Sequence, residues 1–329
     1  MKTSQSPSKT SASATHSTKF LRRPVMARLL LCLLLISMGI LCFADDTNLN
    51  LLCETHPKLC GKRLNSCKTP TGQLAGRVAV ITGASRGVGA EIARIFAREG
   101  ALVVVNYYQS KEKGEAVAAE INAAYCGRAV AIYGDVRVKE DMTALVVRAE
   151  LHFGAKVNVL VNNALATYQF NPSSPSASVK TVTWENVDQQ MRGAVAGALH
   201  AVQSCLPSFE AANFGKIINI GTNLVYNPVV TYYDYSAAKA ALVSLTRNLA
   251  AELGPLGVRA NLVAGGLLER TDASALTTDE VFGYVAQSTP LRKTTTVNDF
   301  AEACVFFAAD ASNAVTGQSL SVDGGLTMP

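Results

Sequence analysis

"RVAVITGASRGVGAEIARIFAREG", residues 77–100, decides how the chain is to be read. It opens on a β-branched apolar run, crosses glycines at 83, 87 and 89, and continues with Ile92, Ile95 and Phe96 at helical spacing. The apolar period therefore changes from that of a strand to that of a helix across a glycine turn. Gly83, Gly87 and Gly89 let the backbone turn sharply and bring a helix N-terminus, with its free N–H groups, against a phosphate. A glycine pattern alone is weak, because many tight strand–helix turns carry glycines. Its place directly after the first strand of an alternating chain is what points to a nucleotide.

The alternation continues downstream. "ALVVVNYY" (101–108), "AVAIYGD" (129–135), "VNVLVNNA" (157–164), "GKIINIGT" (215–222), "VRANLVAGG" (258–266) and "LSVDGG" (320–325) read as further strands. Amphipathic stretches such as "KEKGEAVAAEINAAY" (111–125) lie between them. The strands are nearly continuous apolar runs, as parallel strands covered on both faces require. Right-handed crossovers then give a single doubly wound α/β domain with a mostly parallel seven-stranded sheet, whose ligands bind beyond the carboxyl ends of the strands.

The second strand ends at Asn106, where a carboxylate about 20 residues beyond the glycines would hold the ribose hydroxyls of NAD. Ser110 and Lys111 follow, and Arg86 lies within the glycine loop. A carboxylate would repel a 2′-phosphate, whereas Arg86 and Lys111 pair with one. NADP(H) is therefore favoured over NAD(H).

In "YDYSAAKAALVSL" (233–245), Tyr235 precedes Lys239 by one helical turn, so both side chains share a face. A phenol titrates near 10 and is a poor acid partner at neutral pH, and a neighbouring ammonium lowers that value. Tyr232 and Tyr233 have no lysine four residues on.

"TGASRGVG", Asp135 in "GDV", "VNNA", "IINIGT", "YSAAK" and "VTGQSLSVDGG", in this order and at these separations, closely resemble the short-chain dehydrogenase/reductase family, nearest to its 3-oxoacyl-acyl-carrier-protein reductase-like members. The resemblance spans residues 76–329 and implies a Rossmann-like domain. It implies Tyr235 as general acid, Lys239 as its support and the holder of the nicotinamide ribose, and Thr222, where serine is usual, as the hydroxyl on the substrate carbonyl. It implies a cofactor site of Gly83, Ser85, Arg86, Gly87, Val88, Gly89, Asn106, Ser110, Asp135, Val136, Asn162, Ala164, Gly266 and Leu268 together with Tyr235 and Lys239. Asp135 would accept from the adenine amino group, or else cap the next helix, and Asn162 would tie adjacent strands. The activity implied is NADPH-dependent reduction of a ketone, a 3-oxoacyl thioester among them, by a homodimer or homotetramer.

Three positions depart from that pattern. "NNAG" is Asn162-Asn163-Ala164-Leu165, the relay asparagine of the following helix is replaced by Met191 or Ala194, and "PG" is Gly265-Gly266. Gln189 and Gln190 are the candidate substitutes for the relay. A nucleotide-binding scaffold or sensor is therefore the competing reading, and a reductase of quinones or sterols shares the chemistry. The polar loops at 166–184 and 267–293 are expected to form the substrate wall and lid, with Arg270, Arg292 and Lys293 as anchors for an acyl carrier.

Residues 1–75 hold ten Lys/Arg and three acids, a balance of +7; the remaining 20 Lys/Arg and 22 acids leave the body at −2. The basic charge thus belongs to the leader, and the body has no nucleic-acid surface. Residues 1–28 read as a disordered basic leader and the 16-residue apolar run 29–44 as a signal peptide or signal anchor, short of the roughly 20 a membrane span needs. Membrane contact and the secretory pathway, with the endoplasmic reticulum first, are expected; a mitochondrial or plastid leader is the alternative. Residues 45–75 read as a linker. Cys53, Cys60 and Cys67 lack the paired spacing of a zinc site, so a disulfide or a plain linker is expected there. Cys126, Cys205 and Cys304 are scattered through the body.

Overall fold

The computed structural model describes residues 72–328 apart from positions 166, 167, 169, 172 and 270. The leader, its apolar run, the linker up to residue 71 and Arg270 lie outside the described residues. Among those described, no helix is long and apolar enough to cross a membrane.

Seven strands form one parallel sheet: β1 (Val78–Ile81), β2 (Leu102–Tyr107), β3 (Ala129–Tyr133), β4 (Val159–Asn162), β5 (Gly215–Thr222), β6 (Val258–Gly265) and β7 (Ser319–Val322). Their spatial order is β3-β2-β1-β4-β5-β6-β7, and every pairing is parallel. All residues of β1, β4 and β5 are buried, as expected of strands with both faces covered.

One face is covered by α1 (Gly87–Arg98), α2 (Lys111–Tyr125) and α8 (Val297–Ala308), which pack Phe96, Ile121 and Phe300 against the sheet. The other carries α3 (Lys139–Phe153), α5 (Gly197–Ala212) and α6 (Tyr233–Leu253), with Leu145, Phe209 and Leu249 in the core. α4 (Trp184–Met191) continues through a π-helical turn, Arg192–Ala196, into α5, and α7 (Asp279–Ser288) follows β6. Capping boxes start α4 (Thr183 with Asn186) and α8 (Thr296 with Asp299), each satisfying two otherwise orphaned N–H donors.

The expected linker ends earlier than residue 75. Leu74 is fully buried in the core and its N–H donates to the Glu99 carbonyl at 2.8 Å. Its apolar side chain, set between Gln73 and Ala75 with glycines at 72 and 76, carries no periodic signal. Cys126 is disulfide-bonded, whereas Cys205 and Cys304 are free, and burial pushes both thiols well above the ordinary value.

The chain reverses direction across the sheet between β3 and β4, which lie on opposite sides of β1. This is the switch point where a crevice opens beyond the strand ends.

Candidate active site

A cleft of about 1440 Å³ opens there, and the glycine loop, the ends of β2 to β6 and the loop before α7 all border it. Gly83 and Gly87 have φ of +62° and +57°, in the left-handed region that glycine alone enters freely. A Cβ on Gly83 would also lie 2.9 Å from the Ala164 Cα, and one on Gly89 would lie 2.7 Å from the Gly83 carbonyl oxygen. The loop is thus packed backbone on backbone. Arg86 starts α1 without any side-chain cap, and Gly87, Val88 and Gly89, whose N–H groups a helix leaves without intrahelical partners, border the cleft. That is the donor set a dinucleotide's phosphates require.

The cofactor residues named from the sequence divide in two. Gly83, Ser85, Arg86, Gly87, Val88, Gly89, Ser110, Asp135, Val136, Ala164, Gly266 and Leu268 border the cleft. Asn162 does not: it is buried and its amide donates to Asn219 at 2.9 Å, tying β4 to β5. Asn106 touches the cleft, but its side chain is only 1 % exposed. Its Oδ1 accepts from Gly83 N–H at 3.0 Å and its amide donates to the Gly134 carbonyl at 2.9 Å. Asn106 therefore anchors the glycine loop to β3 instead of reaching a ribose, because strand alternation turns it inward. Tyr107, Tyr108 and Gln109, passed over in the sequence, face the cleft at that point.

Asp135 does not cap α3, whose N-cap is Val138. Its carboxylate grips the Arg137 guanidinium at 2.9 and 2.7 Å, and that pairing holds it below the usual carboxylate range. Arg137 in turn lies 5.0 Å over the Tyr108 ring. Arg86 pairs with Asp272 at 3.5 Å, and Lys111 turns to Glu115 at 3.7 Å.

The catalytic candidates converge at the floor. Thr222 ends β5, Tyr235 lies in the first turn of α6, and Lys239 is one turn later; all three border the cleft and are almost wholly buried. Lys239 Nζ donates to the Ile220 carbonyl at 2.6 Å and sits 5.7 Å from the Tyr235 ring centroid. Burial pushes the Tyr235 phenol up to about 12, although the Thr222 hydroxyl hydrogen-bonds it and favours the phenolate. Burial also brings the Lys239 ammonium down to about 8. The phenol thus lies above its ordinary value with burial as the larger cause, and the Lys239 ammonium is engaged by a backbone carbonyl.

The departures from the family pattern also find places. Leu165 packs with Leu224, Tyr232 and Tyr235, beside Tyr168 and Phe170, which the sequence reading did not single out. Met191 and Ala194 pack against Ala238 and Leu242 of α6, so neither carries a proton. Gln189 borders the cleft, and Gln190 is buried with its Oε1 lacking a partner. Gly266 is required sterically, since a Cβ would lie 2.8 Å from the Asp323 Cβ. Of the acyl-carrier anchors, Arg292 donates to the Gln287 carbonyl and Lys293 pairs with Asp299 at 3.4 Å.

Comparison with known proteins agrees with this geometry. A family model described as enoyl-(acyl carrier protein) reductase matches residues 83–327. A 3-oxoacyl-acyl-carrier-protein reductase of Staphylococcus aureus is 34 % identical over 253 residues, covering 76 % of this chain and 98 % of the relative. A 3beta-hydroxysteroid dehydrogenase of Eggerthella lenta is 33 % identical over 257 residues, covering 78 % and 95 %. The crystal structure of a gluconate 5-dehydrogenase from Burkholderia cenocepacia, in complex with NADP and tartrate, superposes with a TM-score of 0.69 at 30 % identity, covering 77 % of this chain and 96 % of that one. On the family match across residues 83–327 and these relatives, the chain belongs to the short-chain dehydrogenase/reductase family of oxidoreductases and resembles its 3-oxoacyl-acyl-carrier-protein reductases.

Proposed function

We propose that the protein is an NADPH-dependent reductase that converts a ketone to an alcohol. The observation that carries this reading is the placement of Thr222, Tyr235 and Lys239 at the floor of the same cleft whose rim is the uncapped α1 N-terminus. The rim residues fit a dinucleotide: Gly83, Gly87 and Gly89 allow close approach, and the α1 N–H groups suit a pyrophosphate. No carboxylate ends β2, and Arg86 is within an exposed pair that a 2′-phosphate can replace, which favours NADP(H). When bound, the nicotinamide supplies a hydride to the carbonyl carbon.

The chain's own residues manage the oxygen. Thr222 donates a hydrogen bond that orients the carbonyl, and Tyr235 gives its proton to the oxygen as negative charge develops there. A phenol held near 12 keeps its proton at neutral pH until the oxygen becomes basic enough to take it. The Lys239 ammonium, retained at neutral pH, steadies the phenolate that remains. A 3-oxoacyl thioester and a sterol ketone are substrates of the kind the relatives' names suggest. Assembly as a homodimer or homotetramer, and delivery to a membrane-bounded compartment by the leader, belong to the same proposal.

The test follows NADPH absorbance with the full-length protein and a panel of ketones and 3-oxoacyl thioesters, beside Tyr235→Phe. Consumption is expected with the native chain and should fall by about 10²-fold or more in the variant. Binding of NADPH without turnover of any carbonyl would instead favour the nucleotide-binding scaffold, for which Met191 and Ala194 at the relay position are the supporting observation.

A further inference from the structure

Four aromatic rings, the Tyr235 phenol among them, pack into one cluster. The Tyr168 ring stacks on Tyr235 with centroids 5.1 Å apart and planes 21° from parallel. Phe170 meets Tyr235 edge-on at 5.1 Å and 88°, and meets Tyr232 at 5.4 Å. Such offset and edge-to-face contacts hold rings in fixed places. The Tyr168 hydroxyl also donates to Asp234 Oδ1 at 3.3 Å, the oxygen that accepts the Tyr235 N–H at 2.8 Å. Backbone reinforces the arrangement, because Phe170 N–H donates to the Ala273 carbonyl at 3.1 Å and so joins the two loops that flank the cleft. Tyr168 and Phe170 nonetheless keep part of their surface in the cleft.

Further apolar side chains border this end of the cleft, beside Thr277 and Thr278. Val229 and Val230 precede α6, and Leu276, Val281 and Val285 lie on or before α7. The arginines bordering the cleft are paired with carboxylates. Among the described residues that border the cleft, Arg192 pairs with Asp188 at 2.6 Å, Arg137 with Asp135 at 2.7 Å and Arg86 with Asp272 at 3.5 Å. Lys239 is committed to the Ile220 carbonyl. A carboxylate seated on Tyr168 and Phe170 would exchange its hydration for two aromatic rings, while the guanidinium groups of Arg192 and Arg137 already hold carboxylates, which makes that burial costly. An apolar group at the same point would gain from the surface it covers.

Resting on the carbonyl-reductase reading, we propose that Tyr168 and Phe170 form the seat for the group next to the reacting ketone, and that this seat restricts the enzyme to uncharged ketones carrying an apolar substituent. Tyr168 is then a specificity-determining residue. Its ring supplies the contact, and the stack on Tyr235 with the edge contact to Phe170 sets the ring's position.

The test compares methyl 4-acetylbenzoate with 4-acetylbenzoate, a matched pair differing by one negative charge at neutral pH. Each is titrated calorimetrically into the full-length chain loaded with NADP+, so that binding is read without turnover. The ester is expected to bind about tenfold or more tightly than the acid. Tyr168→Ala should weaken the ester about three- to tenfold and leave the NADP+ Kd unchanged, and Tyr168→Phe should restore the ester affinity. Acid bound as tightly as ester, no ester binding, or ester affinity unaffected by Tyr168→Ala would each overturn the proposal. Parallel NADPH oxidation separates the two readings. Ester bound with this pattern but not reduced would remove the reductase reading and leave the seat, whereas preferential reduction of the acid would do the opposite.

Discussion

Lys239 shows how much the environment of one side chain alters its chemistry. Its ordinary ammonium value is depressed to about 8 by burial, so the folded protein releases this proton before the unfolded chain does. Between about pH 8 and 10.5 the unfolded state binds more protons, and the lysine's burial cost is relieved as pH rises through that window. Tyr235 acts oppositely: with its phenol raised to about 12, stability is lost between about pH 10 and 12 as the unfolded phenol ionises first. Lys239→Met, which removes the buried charge, should therefore be more stable than the native chain at pH 7, by about 2–3 kcal/mol at most. That gain should shrink toward pH 10. Urea unfolding of both proteins at the two pH values checks it, and a gain that grows with pH would show that another group sets the response.

Among the secondary-structure elements, the end of β2 is where sequence logic and three-dimensional placement part. Spacing from the glycines selects Asn106, yet its side chain bridges Gly83 N–H and the Gly134 carbonyl inside the framework. Asn106→Asp is thus not a route to NADH preference. A carboxylate there cannot donate to Gly134 and would be buried, so a loss of about 1–3 kcal/mol in urea unfolding is expected. The ratio of NADPH to NADH Kd values should stay within about threefold of the native ratio. A tenfold tightening for NADH would mean that the side chain swings out to a ribose. The π-helical turn Arg192–Ala196 is a second element with no sequence signature, since Gly193 and the alanines around it suit an ordinary helix equally well.

At the scale of the whole molecule, a dinucleotide held at the glycine loop is expected to stabilise the folded body into which that loop is built. Ligand at 100 times its Kd stabilises the state that binds it by about 2.7 kcal/mol, which in a protein of this size raises Tm by about 5–10 °C. NADP+ is expected to give such a rise and NAD+ at equal concentration a clearly smaller one, read by differential scanning fluorimetry. Equal shifts would remove the argument from Arg86 and from the missing carboxylate at the end of β2.

The seven strands, the glycine turn and the Tyr235–Lys239 spacing were legible in the amino-acid order because each depends on near neighbours: period 2 or 3.6, a positive φ, one helical turn. Leu74, just before the expected start of the body, carries no pattern and is recognised by what it packs against. Partners far apart in the chain were beyond such local rules. Tyr168 reaches Tyr235 across 67 positions, and Asn223 donates to Asp323 across 100. The inward turn of Asn106, the Asp135–Arg137 grip and the pKa directions of Tyr235 and Lys239 belong to the same class. Burial and long-range contact set them, and both exist only once the chain has folded.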